Sequence, residues 1–202
     1  IVLRPDFLEK DGLNVFYLVV ESPQGERKQK RLPLKAYLEI VAATNMKQRT
    51  RKHLEYYHAD RLNYAVSGTP NRLEYDQGFF VKLGDGAADL KPIAHLYKSQ
   101  VYQLARFLGL PEEICTAVPS TDTYSLEQTQ EEFYFRLPYD KMDLALYALN
   151  HGVPPEEASD PLGLTPEQVA RLYRDIEQKR STTRYLHLPP LLVEEVPEIH
   201  RT

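Results

Sequence analysis

Tryptophan is missing from this 202-residue chain, and cysteine occurs once, as Cys115. One cysteine excludes a disulfide framework and any cysteine-built zinc cluster. Mean hydropathy is −0.49, and no apolar run approaches the roughly 18 residues that a spanning helix needs. No basic stretch leading into an apolar segment opens the chain, so a cytoplasmic protein is expected rather than a secreted or membrane one. Neither charge sign prevails: 25 Lys and Arg against 29 Asp and Glu give a net charge of −4. That balance argues against a general nucleic-acid binder, although basic charge can still be concentrated locally.

Familiar catalytic strings are also missing. There is no G-x-x-x-x-G-K-[ST] phosphate loop, no G-x-G-x-x-G, no H-E-x-x-H and no G-x-S-x-G. The six histidines show no metal-ligand spacing, and His53 with His58 reads as helix surface. Cys115 follows a helical pattern and reads as structural.

What remains suits one ordinary globular domain, with 42% hydrophobic and 27% charged residues. Residues 13–21 (LNVFYLVVE) are rich in Val, Phe and Tyr and predict a strand. A Ser-Pro-Gln-Gly turn follows, and residues 26–34 return as a second strand. Apolar residues at helical spacing predict one long helix or two consecutive ones over 34–60, with Asn45 as an internal cap. Residues 62–68 (LNYAVSG) read as a short buried strand ending in glycine. Further helices are expected over 93–108, stopped by Gly109-Leu110-Pro111, and over 139–150. Another is expected from Thr165 as cap, with Pro166 at its first position, to about Arg180. Residues 189–202 are too rich in Pro and Glu to assign. The alternation favours an α/β domain, yet the strands are few for a parallel sheet.

Two stretches concentrate chemistry. Residues 66–92 hold four of the nine glycines, with Thr69, Glu74, Lys82, Asp85 and Asp89. Glycine permits positive φ and close backbone approach to a ligand, and ligands of open α/β sheets sit at the carboxyl ends of strands. On spacing alone surface turns are the simpler reading, because Gly-Asp-Gly is a common turn signal. Lys98, on the helix that follows, has a solvated helix face as its simpler reading. Residues 45–52 (NMKQRTRK) place four cations on about two helical turns, so they cannot all face the same way. That suits a phosphate, which Arg can grip with two parallel hydrogen bonds. A basic solvated face balanced by Glu39, Glu55 and Asp60 is the alternative.

Taken in order, these pieces resemble the synthetase domain of NAD synthetases. The run is Asn45 with Lys47, Arg49 and Arg51, then Gly68-Thr69 and Glu74, then residues 78–89 (GFFVKLGDGAAD), a Pro, and a helix bearing Lys98. The resemblance extends from Asn45 to about Ser120. It implies a parallel-sheet fold of the adenine-nucleotide alpha-hydrolase-like type. It also implies ATP-dependent amidation of deamido-NAD to NAD through an adenylate, with ammonia or glutamine-derived ammonia as nitrogen donor. Carried over position by position, Thr69, Lys98 and Ser120 contact ATP, and Arg49, Lys82 and Asp89 contact deamido-NAD. Glu74 is a Mg²⁺ ligand, as hard oxygen donors suit that ion. Asp85 and Lys98 are the catalytic candidates, and Arg184 is the nearest counterpart of a substrate-closing basic pair.

The chain departs from the family pattern in three places. The S-G-G-x-D-S pyrophosphate loop is absent; residues 129–133 read TQEEF where Asp-Glu is usual; and Arg184 stands where a His-Lys pair is common. The missing loop and strands predict that this is the C-terminal part of a larger domain, or that a separate chain supplies the rest. Within it, residues 1–33 are expected as a β-hairpin insert, 34–130 as the ATP and substrate region, and 131–202 as C-terminal helices and tail. The resemblance further implies a homodimer, for which the long helix over 34–60 could supply the interface. Another ATP pyrophosphatase ligase of the same fold, and a catalytically silent fragment that binds a dinucleotide or partner, are the alternatives.

Overall fold

The structure, a computed structural model, describes residues 16–119, 134–135 and 137–198. The β-rich opening folds as expected into an antiparallel hairpin of β1 (Tyr17–Glu21) and β2 (Arg27–Arg31), paired from Tyr17↔Arg31 to Glu21↔Arg27. Gly25 closes the turn, its N–H donating to the Ser22 carbonyl at 2.9 Å.

Pro33 then opens α1 (Leu34–Leu62), a single helix of 29 residues. The expected internal cap at Asn45 is a misreading. The Thr44 and Thr50 hydroxyls donate back to the Ile40 and Met46 carbonyls at 2.9 and 3.0 Å, and the helix runs through unbroken. The expected strand over 62–68 also gives way. Leu62 completes α1, and Asn63 stops it in the left-handed conformation, φ 55°. Asn and Gly are the residues that tolerate that geometry. Only a parallel bridge remains, Ser67↔Leu90, flanked by Gly68 N–H to Leu90 O at 2.8 Å and Asp89 N–H to Val66 O at 2.9 Å.

Helix α2 (Arg72–Gln77) opens with a capping box: Asn71 Oδ1 accepts from Glu74 N–H at 3.2 Å, and Glu74 Oε2 from Asn71 N–H at 2.9 Å. Helix α3 (Lys98–Phe107) begins five residues later than the pattern over 93–108 suggested. Residues 92–96 form a turn instead, and the Leu96 carbonyl is taken by Arg72 N–H at 2.8 Å. Helix α4 (Glu112–Cys115) ends on buried Cys115, whose Sγ lies 3.6 Å from the Leu110 carbonyl.

The core belongs to α5 (Tyr139–Asn150), α6 (Pro155–Leu162) and α7 (Pro166–His187). Met142, Leu146, Leu162, Leu172 and Ile176 pack there with Leu73 of α2 and Phe135, each excluded from water. Burying each such side chain contributes about 1.5–3 kcal/mol. Thr165 caps α7 as its sequence predicts, with Pro166 at the first turn, and the helix continues to His187. Arg180 clamps α7 to α2, its Nε and Nη2 meeting both oxygens of Asp76 at 2.7 and 2.8 Å. By contrast α1 buries only Lys52 and Ala59 among its residues, leaving Leu34, Leu38, Leu54 and Tyr57 exposed. Among the described residues no helix is long and apolar enough to cross a membrane.

Candidate functional site

Helix α1, residues 69–85 and helix α7 enclose a cleft of about 920 Å³. Its shape follows from two local features. Gly78 ends α2 with φ +71°. A Cβ on Gly78 would come within 2.2 Å of Thr183 Cβ, so only glycine lets the loop start flush against α7. Beyond it, residues 82–86 form the turn that the Gly-Asp-Gly string predicts, with Gly84 and Gly86 N–H both donating to the Val81 carbonyl at 2.9 and 3.1 Å. Leu83 holds a left-handed φ of 62° there. That conformation costs a residue bearing a Cβ about 1 kcal/mol, and such strain gathers at ligand-binding loops.

Six of the nine residues marked in the sequence line this cleft: Arg49, Thr69, Glu74, Lys82, Asp85 and Lys98. Arg49 is half-buried on α1 and donates Nε–H to the Lys82 carbonyl at 3.2 Å, tying helix to loop. Lys52, one turn on, is buried and ion-paired with Glu55, so one cation of the 45–52 cluster does turn inward. Lys82 donates Nζ–H to the carbonyls of Tyr185 and Leu188 at 2.9 and 3.2 Å, holding the end of α7 against the loop. Basic groups suit that place, because the last carbonyls of a helix lack intrahelical partners. Asp85 Oδ1 accepts from Val81 N–H at 2.8 Å, and burial pushes its carboxyl up from the ordinary range. Lys98, first residue of α3, sets its ammonium over the Tyr102 and Tyr139 rings at 5.4 and 5.5 Å.

Of the other three marked residues, two fall outside the cleft. Asp89 is exposed and does not line the cleft. Its Oδ2 accepts from Val66 N–H at 2.7 Å and its Oδ1 from the Tyr56 hydroxyl at 3.4 Å, so it ties its own segment to residue 66 and to helix α1. Arg184 is exposed and also outside the lining. Helical phase explains this: Gln178, Lys179, Thr182, Thr183 and Leu186 present one face of α7 to the cleft, and position 184 falls across from it. Ser120 and the 129–133 segment lie outside the described residues.

Helix α7 contributes what the sequence did not disclose. Buried Asp175 pairs with Lys179 at 2.7 Å, and Lys179 Nζ also donates to the Tyr134 carbonyl at 3.0 Å beneath that ring. Burial pushes the Tyr134 phenol well above its usual range, and its hydroxyl donates to the Gln77 carbonyl at 2.7 Å. The polar stripe on α7 has helical spacing, but nothing in its residue types distinguishes a lining face from a solvated one. The cleft thus combines fixed cations with the buried Asp175, the half-buried Glu74 and Asp85, and aromatic walls (Tyr37, Phe79, Phe80 and Tyr134), a setting for a flat ring bearing anionic groups.

Comparison of the fold with solved structures defines the class. The described fold matches an NMN synthetase from Francisella tularensis with a TM-score of 0.60 at 28% identity, over 76% of this chain and 56% of that one. It matches an NH3-dependent NAD synthetase from Campylobacter jejuni with a TM-score of 0.54 at 27% identity, over the same shares. The fold is therefore the α/β adenine-nucleotide alpha-hydrolase-like one, of which the described residues hold a small sheet and mostly helices.

Sequence narrows the class further. The model of the NAD synthase family matches residues 15–185. An NH(3)-dependent NAD(+) synthetase of Rhizobium meliloti (strain 1021) is 66% identical over 192 residues, which is 95% of this chain and 58% of that protein. The chain belongs to the NAD synthase family. It spans a little more than half the length of that relative.

Proposed function

We propose that this chain forms the substrate side of an ATP-dependent ligase that amidates deamido-NAD to NAD with ammonia, free or released from glutamine. The observation that carries this reading is the gathering of Arg49, Lys82 and Lys98 with Thr69, Glu74 and Asp85 around one cleft, in a chain of this family. The nicotinate carboxylate attacks the α-phosphate of ATP and pyrophosphate leaves. Ammonia then attacks the acyl adenylate, and AMP leaves as the amide forms. Both reactants of the first step are anions, so fixed positive charge must offset their repulsion and the charge developing at phosphorus.

Lys98 supplies that charge at the phosphates, with Thr69 a hydrogen-bonding partner of ATP. Arg49 and Lys82 hold the dinucleotide. Asp85, with its carboxyl pushed up by burial, orients the nicotinate end and can receive a proton as ammonia adds. Asp89 and Arg184 could act only from outside the described cleft, Asp89 by fixing residues 66–68 and Arg184 from the rim of α7. Ser120 is retained as an ATP contact.

For Mg²⁺ the chain offers Glu74. No group of three His, Cys, Asp or Glu that could hold a metal occurs among the described residues. One carboxylate oxygen donor fits an ion held chiefly by substrate phosphates and water, as Mg²⁺ usually is. The ion would neutralise phosphate charge there. The exposed apolar side of α1 suits a cover supplied by a second copy or by the rest of a longer polypeptide, and a cytoplasmic homodimer is the assembly we expect.

The test is pyrophosphate release by the longest natural polypeptide carrying these residues, with ATP, ammonia and one acceptor at a time. Deamido-NAD should support release together with an equal amount of NAD. Because one structural neighbour is an NMN synthetase, nicotinate mononucleotide must be offered beside it, and preference for the mononucleotide would overturn the dinucleotide assignment. Release with neither acceptor would point to a different ligase of this fold.

A further inference from the structure

We infer that Asp143 is a positioning residue for Lys98, acting on the ATP side of the cleft from helix α5; the inference rests on the reading of Lys98 given above. The first residues of α3 need an acceptor, because the opening N–H groups of a helix have no intrahelical partner. Tyr97, the preceding residue, offers no side-chain cap. Asp143 fills that place from another helix. Its Oδ1 accepts from Lys98 N–H at 3.2 Å and its Oδ2 from Ser99 N–H at 2.7 Å.

This is a carboxylate on a helix N-terminus, where the backbone dipoles favour negative charge. Asp143 is only 6% exposed, so the contact is shielded from water and ions. It reaches Lys98 from helix α5, half of whose residues are buried, one turn from Tyr139, whose ring lies under the Lys98 ammonium. Helix α5 therefore grips Lys98 at both ends, its backbone through Asp143 and its cation through Tyr139. Fixed placement matters for a group that must meet a phosphate, since small displacements of a contacting residue cost rate steeply.

No sequence motif announces this contact, as Asp143 lies 45 residues beyond Lys98. Asp143 touches neither substrate in this account, and its effect should pass through Lys98 alone.

The experiment compares kcat, and the calorimetric affinities for ATP and for deamido-NAD, in the full-length polypeptide carrying Asp143→Ala, Lys98→Ala or both. Amide exchange at Lys98 and Ser99 is followed in the same samples. Asp143→Ala should weaken ATP binding about tenfold, the effect expected from losing a charge-assisted hydrogen bond. Affinity for deamido-NAD should move by less than about threefold, a split that general loss of fold would not give. The double variant should be no worse than Lys98→Ala. Asp143→Asn, which keeps one acceptor, should fall between and guards against an alanine variant that fails to fold.

Multiplicative losses in the double variant, or equal losses for both substrates, would overturn the inference while leaving the reading of Lys98 intact. An unchanged Lys98→Ala would overturn that reading and the inference with it. Unaltered amide exchange at Lys98 and Ser99 in Asp143→Ala would show that the carboxylate does not hold the helix start.

Discussion

Replacing Gly78 by alanine should loosen the junction that shapes the cleft, and the structure sets the size of the loss. Two costs combine. A residue with a Cβ at φ +71° bears a left-handed penalty of about 1 kcal/mol. The new Cβ would also lie 2.2 Å from Thr183 Cβ and 2.3 Å from its Oγ1, an overlap of the kind that costs about 1–3 kcal/mol. Thr183 cannot simply rotate away, because the Cβ is fixed to α7 and the hydroxyl donates to the Lys179 carbonyl at 2.7 Å. The sum is a destabilisation of about 2–4 kcal/mol.

Gly152→Ala isolates the first cost, since Gly152 has φ +67° but nothing within 4 Å of its added Cβ. That variant should lose only about 1 kcal/mol. Urea unfolding of the two variants and the parent, analysed at equal slope, measures both. Equal losses at positions 78 and 152 would refute the claim that α7 is packed against the end of α2, and with it the shape assigned to the cleft.

Other expectations follow from single contacts. Arg180→Ala should cost about 1–3 kcal/mol in urea unfolding through loss of its paired bonds to Asp76, and Arg180→Lys should restore little of it because lysine lacks the planar fork. Asp85 has its folded-state pKa raised by burial, so the folded protein holds its proton more tightly than the unfolded chain does. Stability from this group is therefore fully present below the ordinary carboxyl range and lost as pH rises through the raised value. In thermal melts across the acid range, the parent should gain on Asp85→Asn as pH is lowered; a parallel pair of curves would contradict the shift. Lys82→Met should both weaken deamido-NAD binding and speed amide exchange over the last turn of α7, because one ammonium serves the Tyr185 and Leu188 carbonyls as well as the cleft. Calorimetry and exchange on the same variant would show whether the two effects occur together.

Legibility differed by element for physical reasons. The hairpin, α1, α5 and the start of α7 were readable because their signals are local: β-rich residues around a turn, apolar spacing, and Thr165 before Pro166. The stretch over 62–68 misled because a short apolar run carries no period of its own. Its fate was decided by Asn63 stopping α1 and by residues 89 and 90, more than 20 positions away. Helix α2 was missed because its six residues span less than two turns. For the site, order and spacing over 45–98 brought six residues to one cleft. The wall from α7, and the Asp143 contact beneath Lys98, depend on packing between segments far apart in sequence, which spacing does not encode.

The central claim is that one cleft, between α1, the 78–86 loop and α7, receives both nucleotides. A crystal structure of the full-length polypeptide with deamido-NAD and a non-hydrolysable ATP analogue tests it most directly. The account predicts phosphate oxygens within hydrogen-bonding distance of Lys98 Nζ, the dinucleotide against Arg49, and Lys82 drawn from the Tyr185 and Leu188 carbonyls onto it. Both ligands bound elsewhere, with Lys82 still on those carbonyls, would contradict it.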